Sequence, residues 1–417
     1  MGIPHVRRPR MRRTALILLV ALATGAAALP GGAPPARAAE PVAGRDAATA
    51  LAPRGSERAA AALRRALNDR LEGIRVKYGI PGVSVAVLFP DGSTWLGASG
   101  VADVADAIPV TADTAFAIAS MSKTFTAALI LALQQEGRLG LDVPAATYIP
   151  ELDLDPAITV RQLMDHTSGL RDYFFHARID AALLKAPDRR WAPEDALRYV
   201  GKPYSKPGRG WHYSNTNYLI LGLLAERVSG ATLGSQLRAR FFEPLGLSDT
   251  FYQPSEAPRG PIAHGYRFAP TAAGPIDLSD GSPFMPFTSV VTAAAGAGAV
   301  AASASDLARW ARALYAGSVL PPSAVRSMVD DIARNEADEP TVPYGLGVQE
   351  VVVGGRPTLG HSGRLLGFRG VVRWLPREQV AIAVLTNQSR TDPGIIARAL
   401  LKVALERAQG CDCADIR

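Results

Sequence analysis

Apolar residues change their spacing several times along the chain, and each change marks an element. From Ser56 to Tyr78, Leu63, Leu67, Leu71, Ile74 and Tyr78 recur at helical spacing. Gly82–Leu88 is then almost continuously apolar, and a second short apolar run covers Ser93–Gly97. Pro90-Asp91-Gly92 lies between them, so the two predict an antiparallel hairpin. An apolar helix is expected from Ser120 to about Glu136, stopped by Gly137. From about residue 140 to 300 strand alternation fades. Thr159-x-x-Gln162 reads as a capping box, Asn217–Ser229 as a helix closed by Gly230, and Ser303-x-x-Asp306 as the cap of a helix ending at Gly317. Strands return at Leu346–Val353, Thr358–His361, Gly367–Leu375 and Val380–Thr386, and Thr391-Asp392-Pro393 opens a closing helix to about Ala408. Strands at both ends with helices between them predict an α/β (α+β) fold. Its antiparallel sheet is flanked by helices and built from both chain ends, with an inserted all-helical lobe. No internal repeat is evident.

The ends change the charge picture. Residues 1–38 carry a basic start (Arg7, Arg8, Arg10, Arg12, Arg13), an apolar stretch from Thr14 to Ala28 and an Ala36-Arg37-Ala38 cleavage site, the pattern of an export signal. Arg12-Arg13 makes a partial twin-arginine pattern, so either export route remains open. Six of the 45 Lys+Arg and none of the 38 Asp+Glu lie in that segment, which leaves 39 against 38 and a net charge of +1. The basic character therefore belongs mostly to the signal, and nucleic-acid binding is not expected. The expected order is signal 1–38, linker 39–55, catalytic domain 56–410 and tail 411–417. Within the domain, a sheet lobe takes about 56–125 and 295–410, and a helical lobe about 126–294. The expected product is a secreted protein with no stable membrane insertion after cleavage. Both cysteines fall in the tail as Cys411 and Cys413, two apart, where a mutual bridge is strained.

The chemistry concentrates in three motifs. Ser120-Met121-Ser122-Lys123 places a serine and a lysine on one helical face, so the lysine stem can reach the hydroxyl. A lysine made less basic by burial can take the serine proton and make it a nucleophile. Downstream come Tyr213-Ser214-Asn215 and, on an expected strand, His361-Ser362-Gly363-Arg364. His176, His212 and His264 lack metal-ligand spacing, and no metal or cofactor is called for. His166, in Asp165-His166-Thr167-Ser168-Gly169-Leu170, reads as a structural hydrogen-bonder.

In order and spacing these motifs resemble the serine β-lactamase and penicillin-binding protein superfamily, in which Ser-x-x-Lys, Tyr-x-Asn and Lys/His-Thr/Ser-Gly line one cleft. Tyr213 and His361 narrow the resemblance to the branch holding class C β-lactamases and a secreted actinobacterial D-alanyl-D-alanine carboxypeptidase. It runs from about Gly82 to about Asn387. The resemblance implies Ser120 as nucleophile, Lys123 or Tyr213 as its base, and Asn215 as the group that fixes Lys123 and binds the acyl-side amide. It implies His361 as a donor or a group titrating near neutrality. The backbone N–H groups of Ser120 and Arg364 form the oxyanion hole, and Ser362, Gly363 and Arg364 bind substrate. One departure stands out: Gln349 occupies the position where an arginine is expected to hold a substrate carboxylate, and Arg364 replaces a hydroxyl residue. Arg364 either reaches into the cleft or points to solvent. The expected activity is D-alanyl-D-alanine carboxypeptidase on peptidoglycan stem peptides. A β-lactamase, an esterase and a non-catalytic penicillin-binding protein are the alternatives, with stem peptide or β-lactam as partner.

Overall fold

The computed structural model describes residues 54–269, 274–330 and 342–409. The expected export signal, all but the last two residues of the expected linker and the tail with both cysteines lie outside them. The first helix, α1 (Arg54–Tyr78), begins inside the expected linker and leads into β1 (Gly82–Leu88), β2 (Thr94–Asp103) and the two-residue β3 (Ile108–Pro109). Three further helices that bear on the site follow: α2 (Lys123–Gln135), α3 (Asn215–Ser229) and α4 (Ala304–Tyr315). The chain then returns as β4 (Gln349–Val353), β5 (Arg356–Leu365), β6 (Phe368–Leu375) and β7 (Val380–Thr386), and closes with α5 (Gly394–Gln409).

These seven strands form one sheet in the order β3-β2-β1-β7-β6-β5-β4. The strand nearest the N-terminus, β1, pairs antiparallel with the last, β7, from Val83↔Thr386 to Leu88↔Ala381. The chain ends therefore meet at the sheet centre, as the pattern predicts. Both central strands are buried along their whole length. This explains their continuous apolar runs: both faces are covered, so no alternation is needed. On one face Leu67, Leu71 and Ile74 of α1 pack with Ile396, Leu400 and Ala404 of α5. The other face meets α4 and the larger core that continues into α2 and α3.

Among the described residues of 126–294 the longer elements are helices, but the stretch also holds strands that the sequence reading missed. Thr250–Tyr252 joins Phe116–Ala117 and Val300–Ala302 in a three-stranded sheet, and Tyr266–Arg267 pairs with Ile276–Asp277. Pieces of two or three residues are too short for alternation to register. Two caps appear as read. Thr159 and Gln162 form a complete capping box, and Ser303 accepts from the Asp306 N–H. Among the described residues no helix is long and apolar enough to cross a membrane.

Candidate active site

The nucleophile motif is not a plain helix start. Ala119–Ser122 forms one 3-10 turn, and α2 begins only at Lys123. Ala119 sits at φ 48°, in the left-handed region, which costs an L-residue about 1–2 kcal/mol. Packing holds it there. Ile118 N–H bonds Val300 O at 3.1 Å, in the small sheet. Phe125 of α2 stacks on Trp310 of α4 at 4.0 Å, and the Trp310 indole donates to Thr124 Oγ1 at 2.8 Å. The turn thus fixes Ser120 against a rigid core.

Around Ser120 the first two motifs converge. Tyr213 Oη lies 3.0 Å from Ser120 Oγ. Lys123 is fully buried. Its Nζ lies 4.3 Å from the centre of the Tyr213 ring and 4.8 Å from that of Tyr218, and donates to Asn215 Oδ1 at 3.4 Å. Burial holds the Lys123 ammonium well below its usual range, with Asp172 pulling weakly the other way. Burial pushes the Tyr213 phenol well above its usual range, although the bond to Ser120 opposes this. Burial therefore moves the pair toward its uncharged forms, an amine and a neutral phenol.

Asn215 opens α3 and is turned inward. While its Oδ1 meets Lys123, its Nδ2 donates to Asp172 Oδ2 at 2.6 Å. Asp172 is itself buried. It caps the short turn Tyr173–Phe175 by accepting from Phe174 N–H at 2.9 Å, and burial raises its carboxyl to about 6. The sequence reading passed over Asp172. Its one local signal was its place two residues after the motif Asp165-His166-Thr167-Ser168-Gly169-Leu170. Both ends of the Asn215 amide are engaged within the protein, so the geometry fixes Lys123 and leaves the acyl-side contact unassigned.

The third motif lies on β5, which runs four residues beyond the expected His361. Strand alternation splits the motif by face. His361 and Gly363 face the nucleophile turn, and Gly363 needs to lack a side chain: a Cβ there would meet Ile118 O at 2.2 Å and Ser120 N at 3.1 Å. Ser362 and Arg364 take the other face. Ser362 N–H points to the free edge of β5, where it bonds Gln349 Oε1 at 3.0 Å. By the same alternation the Arg364 N–H points to that edge, the direction an oxyanion donor beside Ser120 requires. Arg364 lies opposite Arg369 of β6 in the strand register. Burial, and then Arg369, lower its guanidinium.

His361 differs from its expected role. Nδ1 lies 2.6 Å from Ser362 O and so carries the proton, while Nε2 accepts from Tyr344 Oη at 3.0 Å. Burial, reinforced by Lys123, pushes its imidazole well below the usual range. The expectation of a group titrating near neutrality is corrected: His361 is a neutral ring held by Tyr344, a residue the sequence reading passed over. His166 is the centre of an aromatic cluster, with ring centroids 4.4 Å from Tyr213, 5.3 Å from Tyr218 and 4.8 Å from Tyr344. Its Nδ1 accepts from Ser214 N–H at 3.2 Å, as a structural hydrogen-bonder does. Away from the site, His264 lies 2.8 Å from Asp277 and 3.6 Å from Asp103, an arrangement that ties the 266–277 hairpin to β2.

Comparison with known proteins places the chain as a whole. The family described as Beta-lactamase matches residues 63–406. Penicillin-binding protein 4* of Bacillus subtilis is 28% identical over 317 residues, covering 73% of this chain and 67% of that protein. The D-aminopeptidase of Brucella anthropi is 31% identical over 344 residues, covering 82% of this chain; the chain spans only 62% of that protein's length. Among solved structures, the D-amino acid amidase from Ochrobactrum anthropi SV3 superposes with a TM-score of 0.71 at 26% identity, covering 83% of this chain and 99% of that one.

Proposed function

Since the chain belongs to the Beta-lactamase family and is a hydrolase of that family, we propose that it works through an acyl-enzyme on Ser120, with D-alanyl-D-alanine peptides as substrate. The observation that carries the mechanism is the 3.0 Å contact of Ser120 Oγ with Tyr213 Oη beside a buried, weakly basic Lys123. Ser120 Oγ bonds to the substrate carbonyl carbon, and its proton passes to the Lys123 amine, with the Tyr213 hydroxyl as relay. The carbonyl oxygen takes the developing charge between the N–H groups of Ser120 and Arg364. The C–N bond breaks, and the amine leaves with the stored proton. Water then adds to the ester carbon, its proton returning through the same groups, and the acid leaves with Ser120 regenerated. An exported enzyme, delivered by the signal at 1–38, would meet this substrate in the cell wall.

The cationic end of the third motif, where Arg364 faces Arg369, supports a substrate that ends in a free carboxylate. Gln349 favours a second reading, an amidase or aminopeptidase for D-amino acyl groups. The names of the Brucella and Ochrobactrum relatives fit that reading. A substrate panel on the protein without residues 1–38 separates the two: an acylated D-Ala-D-Ala peptide, a D-amino acid amide, nitrocefin and a short-chain ester. We expect the highest kcat/KM on the peptide. A higher value on the amide would replace the carboxypeptidase with the amidase, and turnover of none would remove the hydrolase.

A further inference from the structure

No step above uses Asp172, although it is 1% exposed and stands one amide away from Lys123. A buried carboxyl is costly, and folds keep one mainly where it has a partner or a task. Its segment is clamped onto the start of α3. The Tyr173 N–H donates to Thr216 Oγ1 at 3.1 Å, and that hydroxyl donates to Arg171 O at 2.7 Å. The Tyr173 hydroxyl donates to Ala293 O at 2.8 Å and ties the next residue into the core. These bonds hold Asp172 inward.

Both carboxyl oxygens face N–H donors. Oδ1 accepts from the Phe174 N–H at 2.9 Å and Oδ2 from Asn215 Nδ2 at 2.6 Å. Donors on both oxygens favour the ionised form. Burial opposes them and raises the carboxyl to about 6, so the carboxylate prevails above that pH. The titratable groups around it are Lys123 of α2, Tyr173 beside it, and Tyr204 and Tyr213 from the segment before α3. Burial raises all three phenols, and the Arg171 guanidinium lies 4.9 Å from the Tyr204 ring centre. Lys123 is therefore the neighbour whose charge changes during the reaction. A carboxylate only accepts, so it draws the NH₂ end of Asn215 and leaves Oδ1 for Lys123. The 3.4 Å from Lys123 Nζ to Asn215 Oδ1 leaves room for an ammonium to shorten it, since charge-assisted bonds run at about 2.7–2.9 Å.

We propose that Asp172 is the counter-charge of Lys123, acting through the Asn215 amide, and sets how readily Lys123 takes up and returns the Ser120 proton. The inference rests on the acyl-enzyme reading above and adds a residue to its proton path. As Ser120 Oγ bonds to the carbonyl carbon, its proton arrives on Lys123 Nζ and creates an ammonium in a dry interior. The Asp172 carboxylate polarises Asn215, so that Oδ1 accepts from the ammonium more strongly than from the amine. The proton then departs with the leaving amine, and Lys123 is an amine again. Asp172 touches no reacting atom and is a positioning residue. The interposed amide keeps its pull weaker than burial, so the resting lysine stays weakly basic.

The test compares wild type with Asp172→Asn, which removes the charge at nearly constant size, and Asp172→Glu, which keeps the charge on a longer side chain. Asparagine is also a good cap, so the turn at Tyr173–Phe175 should survive the first exchange. NMR of isotope-labelled lysine side chains reads the Lys123 pKa without turnover. Stopped-flow acylation by a chromogenic β-lactam reads the rate from about pH 5 to about pH 8. We expect the Lys123 pKa to drop by about 1 in Asp172→Asn. Acylation at about pH 7.5 should slow roughly 3–10-fold, as a partly to fully formed ammonium in the transition state requires. The ratio of wild-type to Asp172→Asn rates should shrink toward one as pH falls through about 6, where wild type gains its own proton on Asp172. Asp172→Glu should acylate faster than Asp172→Asn, the reverse of the order that size alone demands. An unchanged Lys123 pKa in Asp172→Asn would overturn the proposal. So would a rate loss equal at every pH with the asparagine variant ahead of the glutamate, which would make Asp172 a structural residue. If wild type takes no acyl group yet the Lys123 pKa drops in Asp172→Asn, the counter-charge stands while the acyl-enzyme reading falls.

Discussion

In the proposed mechanism the Ser120 hydroxyl gains its reactivity from neighbours whose ionisation burial has moved in opposite directions. Lys123 is less basic than a lysine in water, and Tyr213 is less acidic than a tyrosine in water. In the proposed mechanism the Ser120 proton passes to the amine, whose uncharged form burial favours, along a geometric path through the phenol. Removing the phenol oxygen tests that path. Tyr213→Phe keeps the ring against His166 and over Lys123, and should lower the rate of Ser120 acylation by roughly 10²–10⁴-fold, the usual weight of general acid–base help. Stopped-flow acylation by a chromogenic β-lactam reads this directly, with circular dichroism to check the fold. A loss below threefold would leave Tyr213 with a packing role and put the whole transfer on Lys123. Asp172 enters at the same scale: through Asn215 it determines which end of that amide meets the lysine.

Among the elements, β5 and the turn before α2 make the site by touching. Gly363 is where they touch, and a methyl group there has 2.2 Å to Ile118 O. Gly363→Ala should push strand and turn apart at a cost of about 1–3 kcal/mol. It should slow acylation at least tenfold by moving the Arg364 N–H away from Ser120. A variant with wild-type acylation and wild-type melting would mean that the strand is not the oxyanion edge. The elements also show what was legible in the sequence. The α1 stripe, the capping box at Thr159, the continuous runs of β1 and β7 and the three motifs are local patterns, and a local pattern can be read from a chain. The extension of β5 through Arg364 was missed because Ser362, Gly363 and Arg364 break the apolar run, though their backbone pairs with β6 down to Leu365↔Phe368. Asp172 and Tyr344 were missed because their value is long-range. Asp172 meets Asn215 from 43 residues away, and Tyr344 meets His361 across a chain turn between β4 and β5.

At the scale of the whole molecule, the buried site makes stability depend on pH. His166 and His361 are held neutral, with folded pKa values below the unfolded value near 6.5. Where the unfolded chain binds the protons and the folded one does not, stability rises with pH, so the protein should weaken as pH falls through about 6.5. Asp172 acts in the opposite sense. Its carboxyl is raised to about 6, so between about 4 and 6 the folded state holds the extra proton and recovers part of that loss. The melting temperature should therefore fall on acidification from pH 7.5 to 5.5. His361→Gln, which removes one titrating ring, should flatten the slope. An equal slope in that variant would mean that the ring is already charged in the folded protein. The account's central claim is that Ser120 alone, placed by the whole fold, carries the acyl group. Intact-mass spectrometry after brief exposure to a penicillin, followed by peptide mapping, tests it most directly. The account predicts one adduct per chain, on Ser120, abolished in Ser120→Ala and largely retained in Ser122→Ala; an adduct of equal yield in Ser120→Ala, or one mapped to another residue, would contradict it.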